Sequence, residues 1–169
     1  GVSRDPPNPP VTRVPVVEPL EARLEADVSC YNDATAAAVG ECFYRQGNLA
    51  DLVYVTVSTG IGAGAIVDGR PLLGATGNAV EAGHFQFDPA GPATCGCGGV
   101  GHWEGYAGGR NLPAYARYLA AETGIETGLD LEAVDAETLY GADDPLAAAV
   151  RERAAARHAQ GFATLIHAF

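Results

Sequence analysis

Four residues in one glycine-rich stretch have the types and spacing of a metal site: His84, Cys95, Cys97 and His102. Zinc takes four Cys or His ligands in a tetrahedron. A loop without its own hydrophobic core gains from a bound metal the folding energy it otherwise lacks. With all four positions supplied by protein, such a site is closed and structural, not catalytic. The same stretch is bracketed by Glu81 and Glu104. Carboxylates of this kind suit hydroxyl-rich ligands, because each oxygen accepts strong hydrogen bonds. Upstream, Ser58-Thr59-Gly60-Ile61-Gly62-Ala63-Gly64 offers backbone N–H groups and two hydroxyls to a phosphate. Asn32-Asp33 stands before an Ala-rich run. The ordinary use of Asp33 is a helix cap. The sharper one is to accept a proton from a substrate hydroxyl during phosphoryl transfer, kept ionised by the helix dipole. Ordinary uses exist for the rest as well: surface thiols, solvated glutamates and a plain glycine turn.

These residues need elements to position them. Leu20 to Ala26 carries leucines at helical spacing, and Asp27 to Tyr31 reads as a short apolar strand. A helix is predicted over 34–46, since Ala is the strongest helix former, with Gly47-Asn48 as its stop signal. Leu52 to Val57 is a β-rich run. Ser58 to Gly64 then reads as a turn and Ala65 to Val67 as the return strand of a hairpin. A dinucleotide-binding turn would open a helix instead. A Walker A loop needs a lysine, and the chain contains none. Residues 70–103 show little periodicity, and loops of that length inside a domain are usually functional. Helices are predicted over 111–122 and from Asp144-Pro145, a cap and first-turn proline, to the end of the chain. The order of elements gives an α/β or α+β class. Residues 1–19 are Pro-rich and read as a loop or linker, and 20–169 as the core, with the metal loop at about 81–104.

The chain has 169 residues, 47% of them hydrophobic, enough to bury a sizeable core. Net charge is -11 and the isoelectric point about 4.6, a surface that repels nucleic acid. No stretch reaches the roughly 20 apolar residues that span a bilayer, and no signal peptide is evident at the start. All ten basic residues are Arg, a composition that suits high salt or a GC-rich coding bias. Cys30 and Cys42 lie in apolar segments and read as buried thiols. The C-x-C pair is too close for an easy mutual disulfide, so a reducing cytoplasm is the expected compartment.

Taken together, three motifs resemble one family. Asn32-Asp33-Ala34-Thr35-Ala36-Ala37-Ala38-Val39-Gly40-Glu41 is similar to its sugar-contacting strand–helix motif. Ser58 to Gly64 is similar to its second phosphate motif. Glu81-Ala82-Gly83-His84, Cys95-Gly96-Cys97-Gly98-Gly99 and Gly101-His102-Trp103-Glu104 resemble its signature E-x-G-H…C-x-C-G-x-x-G-C-x-E. The family is ROK: glucokinases, other hexose and N-acetylhexosamine kinases, and sugar-responsive repressors. The resemblance runs from about Pro15 to the C-terminus. It implies an actin/hexokinase-like (ribonuclease H-like) α/β fold and transfer of the γ-phosphoryl group of Mg²⁺-ATP to a sugar hydroxyl. Asp33 would be the general base. Asn32, Asp33, Glu81, His84 and Glu104 would bind the sugar, and Ser58, Thr59, Gly60 and Gly62 would lie near the ATP phosphates. His84 would face the structural zinc with one ring nitrogen and the sugar with the other. A homodimer is a further expectation of the family.

The chain departs from that pattern in places. His102 replaces the family's third zinc cysteine, and Gly108-Gly109 stands for a usual Ser-Gly. The N-terminal D-x-G-G-T phosphate motif and the C-terminal glycine-rich adenosine segment are absent from it. The expectation is a family member cut at both ends, so an incomplete fold that binds nucleotide poorly and catalyses little alone. A sugar-sensing domain of a repressor and an inactive zinc-stabilised sugar-binding module are the alternatives. Asp33 favours the kinase, since a sensor needs no base.

Overall fold

The computed structural model describes residues 2–4, 12–45 and 49–169. The stop signal predicted at Gly47-Asn48 lies outside them. The chain divides into two compact units, Gly1–Asp33 and Ala34–Phe169.

In the first unit, strands β1 (Val2–Arg4) and β2 (Arg13–Pro15) pair antiparallel, with Val2 opposite Pro15 and Arg4 opposite Arg13. The stretch read as a loop thus contains a strand pair. Helix α1 (Val17–Leu24) follows and buries no residue. It ends on Glu25 in the left-handed conformation, whose N–H bonds the Glu21 carbonyl. The strand predicted over 27–31 does not form: these residues are irregular and mostly exposed. An extended segment is stable only when a neighbour completes its hydrogen-bond ladder, and no described strand pairs with this one. Val28 N–H instead donates to the Glu21 carboxylate at 3.3 Å. Cys30 is accordingly exposed, not buried as expected.

The second unit starts with helix α2 (Asp33–Tyr44), whose first residue belongs to the preceding unit. Cys42 on this helix is half-buried and its thiol donates to the Leu49 carbonyl at 3.5 Å. Strands β3 (Leu52–Val57), β4 (Ile61–Val67) and β5 (Arg70–Pro71) form an antiparallel meander. Leu52 pairs with Ile66 and Val57 with Ile61, so the hairpin turn is Ser58, Thr59 and Gly60 alone. Ile61 to Gly64, expected in the turn, are strand residues. The glycines there serve packing: a side chain at Gly64 would collide with the backbone of Ala34 and Thr35, and one at Gly62 would press on Thr56. Glycine in a strand commonly marks such a close backbone approach, and here it seats the start of α2 on β4.

A long segment then runs to residue 102 with one 3₁₀ turn, Ala82–His84, and two isolated bridges, Gln86 with His102 and Thr94 with Val100. Helices α3 (Trp103–Ala107), α4 (Leu112–Thr123), α5 (Ala136–Gly141) and α6 (Pro145–Ala168) complete the chain. The predicted helix over 111–122 and the one opening at Asp144-Pro145 are present. The five-residue α3 and six-residue α5 are too short for periodicity to reveal. Asp144 caps α6 by accepting from Leu146 N–H at 2.9 Å and Ala147 N–H at 3.1 Å. The core joins Ile61, Ala63 and Ala65 of β4 to Trp103 and Tyr106 of α3, Leu112, Tyr115 and Leu119 of α4, Leu139 of α5 and Leu146, Val150 and Leu165 of α6. No described helix is long and apolar enough to cross a membrane.

Candidate functional site

Helix α3 opens directly after His102 and packs chiefly against α6. Trp103 is wholly buried. Its indole N–H donates to His158 Nδ1 at 3.2 Å, and its ring meets Phe162 edge-on at 5.5 Å. Any side chain at Gly161 would strike the indole, so α6 approaches the Trp103 ring at a glycine. A second tie runs through Asp88. Its carboxylate accepts from the Tyr106 hydroxyl at 2.8 Å and from Arg157 at 3.1 Å, while the guanidinium lies 4.3 Å from the Tyr106 ring centre. Burial, and then the bond to Asp88, push the Tyr106 phenol up to about 12. Burial also lowers the pKa of His158, consistent with a neutral ring accepting from the indole.

Beside this base sit the four candidate sulfur and nitrogen ligands. His84 Nδ1 lies 3.5 Å from Cys95 Sγ, and His102 Nδ1 lies 3.4 Å from Cys97 Sγ. One ligand atom from each of the four lies within 4.8 Å of all the others. The 3.5 and 3.4 Å pairs match the edges of a tetrahedron whose centre is about 2.0–2.3 Å from each ligand. Neither cysteine is in a disulfide. The residues therefore fit a zinc ion. The loop is shaped for this: Gly98 and Gly101 have φ of 86° and 70°, and Cys95 N–H bonds the Gly99 carbonyl at 2.8 Å, which closes the C-x-C turn. Cys95 is buried and Cys97 exposed. Burial pushes the Cys95 thiol up to about 12, with the Glu104 carboxylate adding to the shift.

The two glutamates take different places. Glu81 is half-buried and precedes the 3₁₀ turn that carries His84, whose N–H bonds the Glu81 carbonyl at 3.0 Å. Val80 before it has φ of 61°. A β-branched residue held there costs on the order of 1–3 kcal/mol, and the burial of Val80 in the core holds it in place. Glu104, on α3, accepts from Ile61 N–H through Oε2 at 2.9 Å and from the Cys95 thiol through Oε1 at 3.3 Å. Each carboxylate oxygen keeps a second lone pair for a hydroxyl.

The phosphate-type turn is gripped from the same side. Gly109 and Arg110 N–H donate to the Ser58 and Thr59 carbonyls, both at 2.9 Å. A side chain at Gly83 would run into the Ile61 carbonyl. Ile61 is thus held at its N–H by Glu104 and met at its carbonyl by the E-x-G-H turn. A cavity of about 670 Å³ opens beside the turn, lined among others by Ser58, Thr59, Arg110, Glu137 and Tyr140. Sequence reasoning missed Arg110, Glu137 and Tyr140, which carry no motif of their own. Gly62 sits in β4, outside the turn. Asn32 immediately precedes α2, and Asp33 is its first residue. A carboxylate there is favoured by the positive end of the helix dipole.

The ROK family profile matches residues 3–169. The chain belongs to the ROK family. A glucokinase of Pyrobaculum calidifontis is 44% identical over 122 residues, covering 72% of this chain and 40% of that protein. A ROK family glucokinase from Streptomyces griseus, solved in complex with glucose and AMPPNP, superposes with a TM-score of 0.72 at 32% identity, covering 96% of this chain and 55% of that one. A ROK family transcriptional regulator, a homologue of the E. coli MLC protein, superposes with a TM-score of 0.71 at 28% identity, covering 89% and 39%. This ROK chain spans about 40% of the length of that curated glucokinase. Its fold is the actin/hexokinase-like α/β fold of the ROK hexokinases and glucokinases.

Proposed function

We propose that this ROK chain forms the sugar-binding and phosphate-binding part of an ATP-dependent hexose kinase, of the glucokinase kind. The observation that carries the reading is the meeting of two motifs at one peptide. The E-x-G-H turn and Glu104 both touch Ile61, the residue that ends the Ser58–Gly60 turn. A sugar held by one motif and a phosphate held by the other are thereby brought close, and proximity of this kind is the main contribution a kinase fold makes.

In this reading Glu81, His84 and Glu104 accept and donate hydrogen bonds to sugar hydroxyls, together with Asn32. Asp33 accepts the proton of the attacking hydroxyl as its oxygen bonds to the γ-phosphorus and the bond to ADP breaks. Ser58 and Thr59 hold phosphate oxygens through their hydroxyls, and Thr59 and Gly60 through backbone N–H groups, the Ser58 N–H being bonded to the Gly60 carbonyl at 2.9 Å; Gly62 leaves room for Thr56 and Ala34 beside β4. The cavity lined by Arg110, Glu137 and Tyr140 takes the rest of the nucleotide. His84, Cys95, Cys97 and His102 would hold a structural zinc, whose contribution is to fix the loop and the His84 ring. Mg²⁺ accompanies the ATP, and the protein works in the cytoplasm.

The test is sugar-dependent ADP formation by the whole protein that carries this chain. Glucose should stimulate it, and Asp33→Asn should lower the rate by roughly 10²- to 10⁴-fold with little change in glucose affinity. Glucose binding without any ADP formation would overturn the kinase reading. It would favour the second one, a sugar-sensing domain, which the likeness to the transcriptional regulator supports. Comparing glucose with N-acetylmannosamine as acceptors would assign the sugar.

A further inference from the structure

Glu104 stands between two parts of the site that sequence places far apart. Its Oε2 takes the Ile61 N–H at 2.9 Å across a separation of 43 residues. Its Oε1 meets the Cys95 thiol at 3.3 Å while that sulfur carries its proton; a metal-bound sulfur would have none to donate, so the link from a bound metal to Glu104 runs along the backbone from His102, two residues before it. Gly60 gives it room: a side chain at that position would overlap the carboxylate. Gly108 does the same on the other flank, where a side chain would crowd the Glu104 stem. The backbone is fixed as well. Glu104 C=O accepts from Asn111 Nδ2 at 3.1 Å and from Gly108 N–H at 2.8 Å. Two bonds from Gly109 and Arg110, just beyond α3, tie down the Ser58 and Thr59 carbonyls.

Helix α3 is therefore a short strut. Its first residue follows His102, its second is Glu104, and the residues after its end bond the turn. A hydrogen bond from a backbone N–H to a carboxylate is stronger than a neutral one. Here it fixes the peptide that closes a three-residue turn. The N–H groups of such a turn can hold phosphate only if their directions are set in advance.

We propose that Glu104 is a positioning residue for the nucleotide: it holds the Ser58–Gly60 turn in its phosphate-binding shape and links that shape to the metal loop. The proposal rests on the reading of this turn as a phosphate site. Glu104 acts here on the turn through the Ile61 N–H, whatever hydroxyl its remaining lone pairs accept.

The experiment measures affinity for a non-hydrolysable ATP analogue in the absence of sugar, using the whole protein, with zinc content recorded for each variant. Leaving sugar out removes any effect of Glu104 on sugar binding. Glu104→Gln keeps an acceptor at the same reach, whereas Glu104→Asp keeps the charge but falls short of Ile61 N–H. Glu104→Asp should weaken the analogue about ten-fold, and Glu104→Gln less than about three-fold. Chelation of the metal should weaken binding to the wild type, and should add little in Glu104→Asp, where the link is already cut. Equal affinity for wild type and Glu104→Asp would overturn the proposal. So would loss in Glu104→Gln with retention in Glu104→Asp, because the charge and not the reach would then matter. Failure of the wild type to bind the analogue would instead overturn the reading of the turn, and the proposal with it.

Discussion

The metal loop and the helical half behind it are held together by different means. Residues 84–102 contain one short 3₁₀ end and two isolated bridges. They are held by glycine turns and backbone hydrogen bonds such as Phe87 N–H to the Gly101 carbonyl, and four Cys and His atoms converge there within 4.8 Å of one another. Residues 103–169 are helical for most of their length and bury Trp103, Leu112, Leu119, Leu139, Leu146 and Val150 almost completely. One region gathers four candidate metal ligands and the other is organised by apolar packing. They meet at Trp103, one residue after the candidate ligand His102, so disturbing either should leave a distinct trace.

The largest effect is expected at that junction. Trp103→Ala removes a fully buried indole from between Phe87, His158 and Phe162 and should cost about 3–5 kcal/mol of stability, read by chemical denaturation. A smaller loss would mean that the packed half does not depend on this ring. Metal removal comes next and should separate the two regions. A strong chelator should expose the 84–102 loop to protease while far-UV circular dichroism keeps the helical signal. Simultaneous loss of both would break the distinction. Tyr106→Phe should cost about 1 kcal/mol, because the hydroxyl leaves Asp88 while Arg157 still pairs with it.

The smallest effect is one of pH. Burial depresses the His158 pKa below its ordinary 6.5. The unfolded chain then binds the extra proton first, so stability is full above about pH 6.5 and falls as pH drops from there towards the folded value. Protonation at Nδ1 also removes the acceptor of the Trp103 indole N–H. His158→Gln should flatten this part of the stability profile, as followed by thermal melts from pH 7.5 to 5. An unchanged slope would show that the ring does not carry it.

Much of this was legible because the signals were local. The C-x-C spacing and the histidines on either side form a short-range pattern that the structure gathers into one cluster, and the Ala-rich run after Asp33 forms the helix it implies. The hairpin strands at 52–57 and 65–67 were legible for the same reason. The errors have physical causes. Ile61 to Gly64 read as turn because glycine breaks strands on average, whereas here Gly62 and Gly64 let α2 lie against β4. Residues 27–31 read as strand from apolar content alone, but a strand also needs a neighbour. Cys30 read as buried for the same reason and is exposed. The double engagement of Glu104 and the bond between Trp103 and His158 span 43 and 55 residues. No local pattern encodes such distances, and only the fold brings these pairs together.

If the proposed site is right, His84, Cys95, Cys97 and His102 together bind one metal ion, with His102 in place of a cysteine. Elemental analysis of the purified protein tests it most directly. About one zinc per chain is expected, with a clear loss in His102→Ala. Protein without zinc, or zinc unaffected by that substitution, would contradict it.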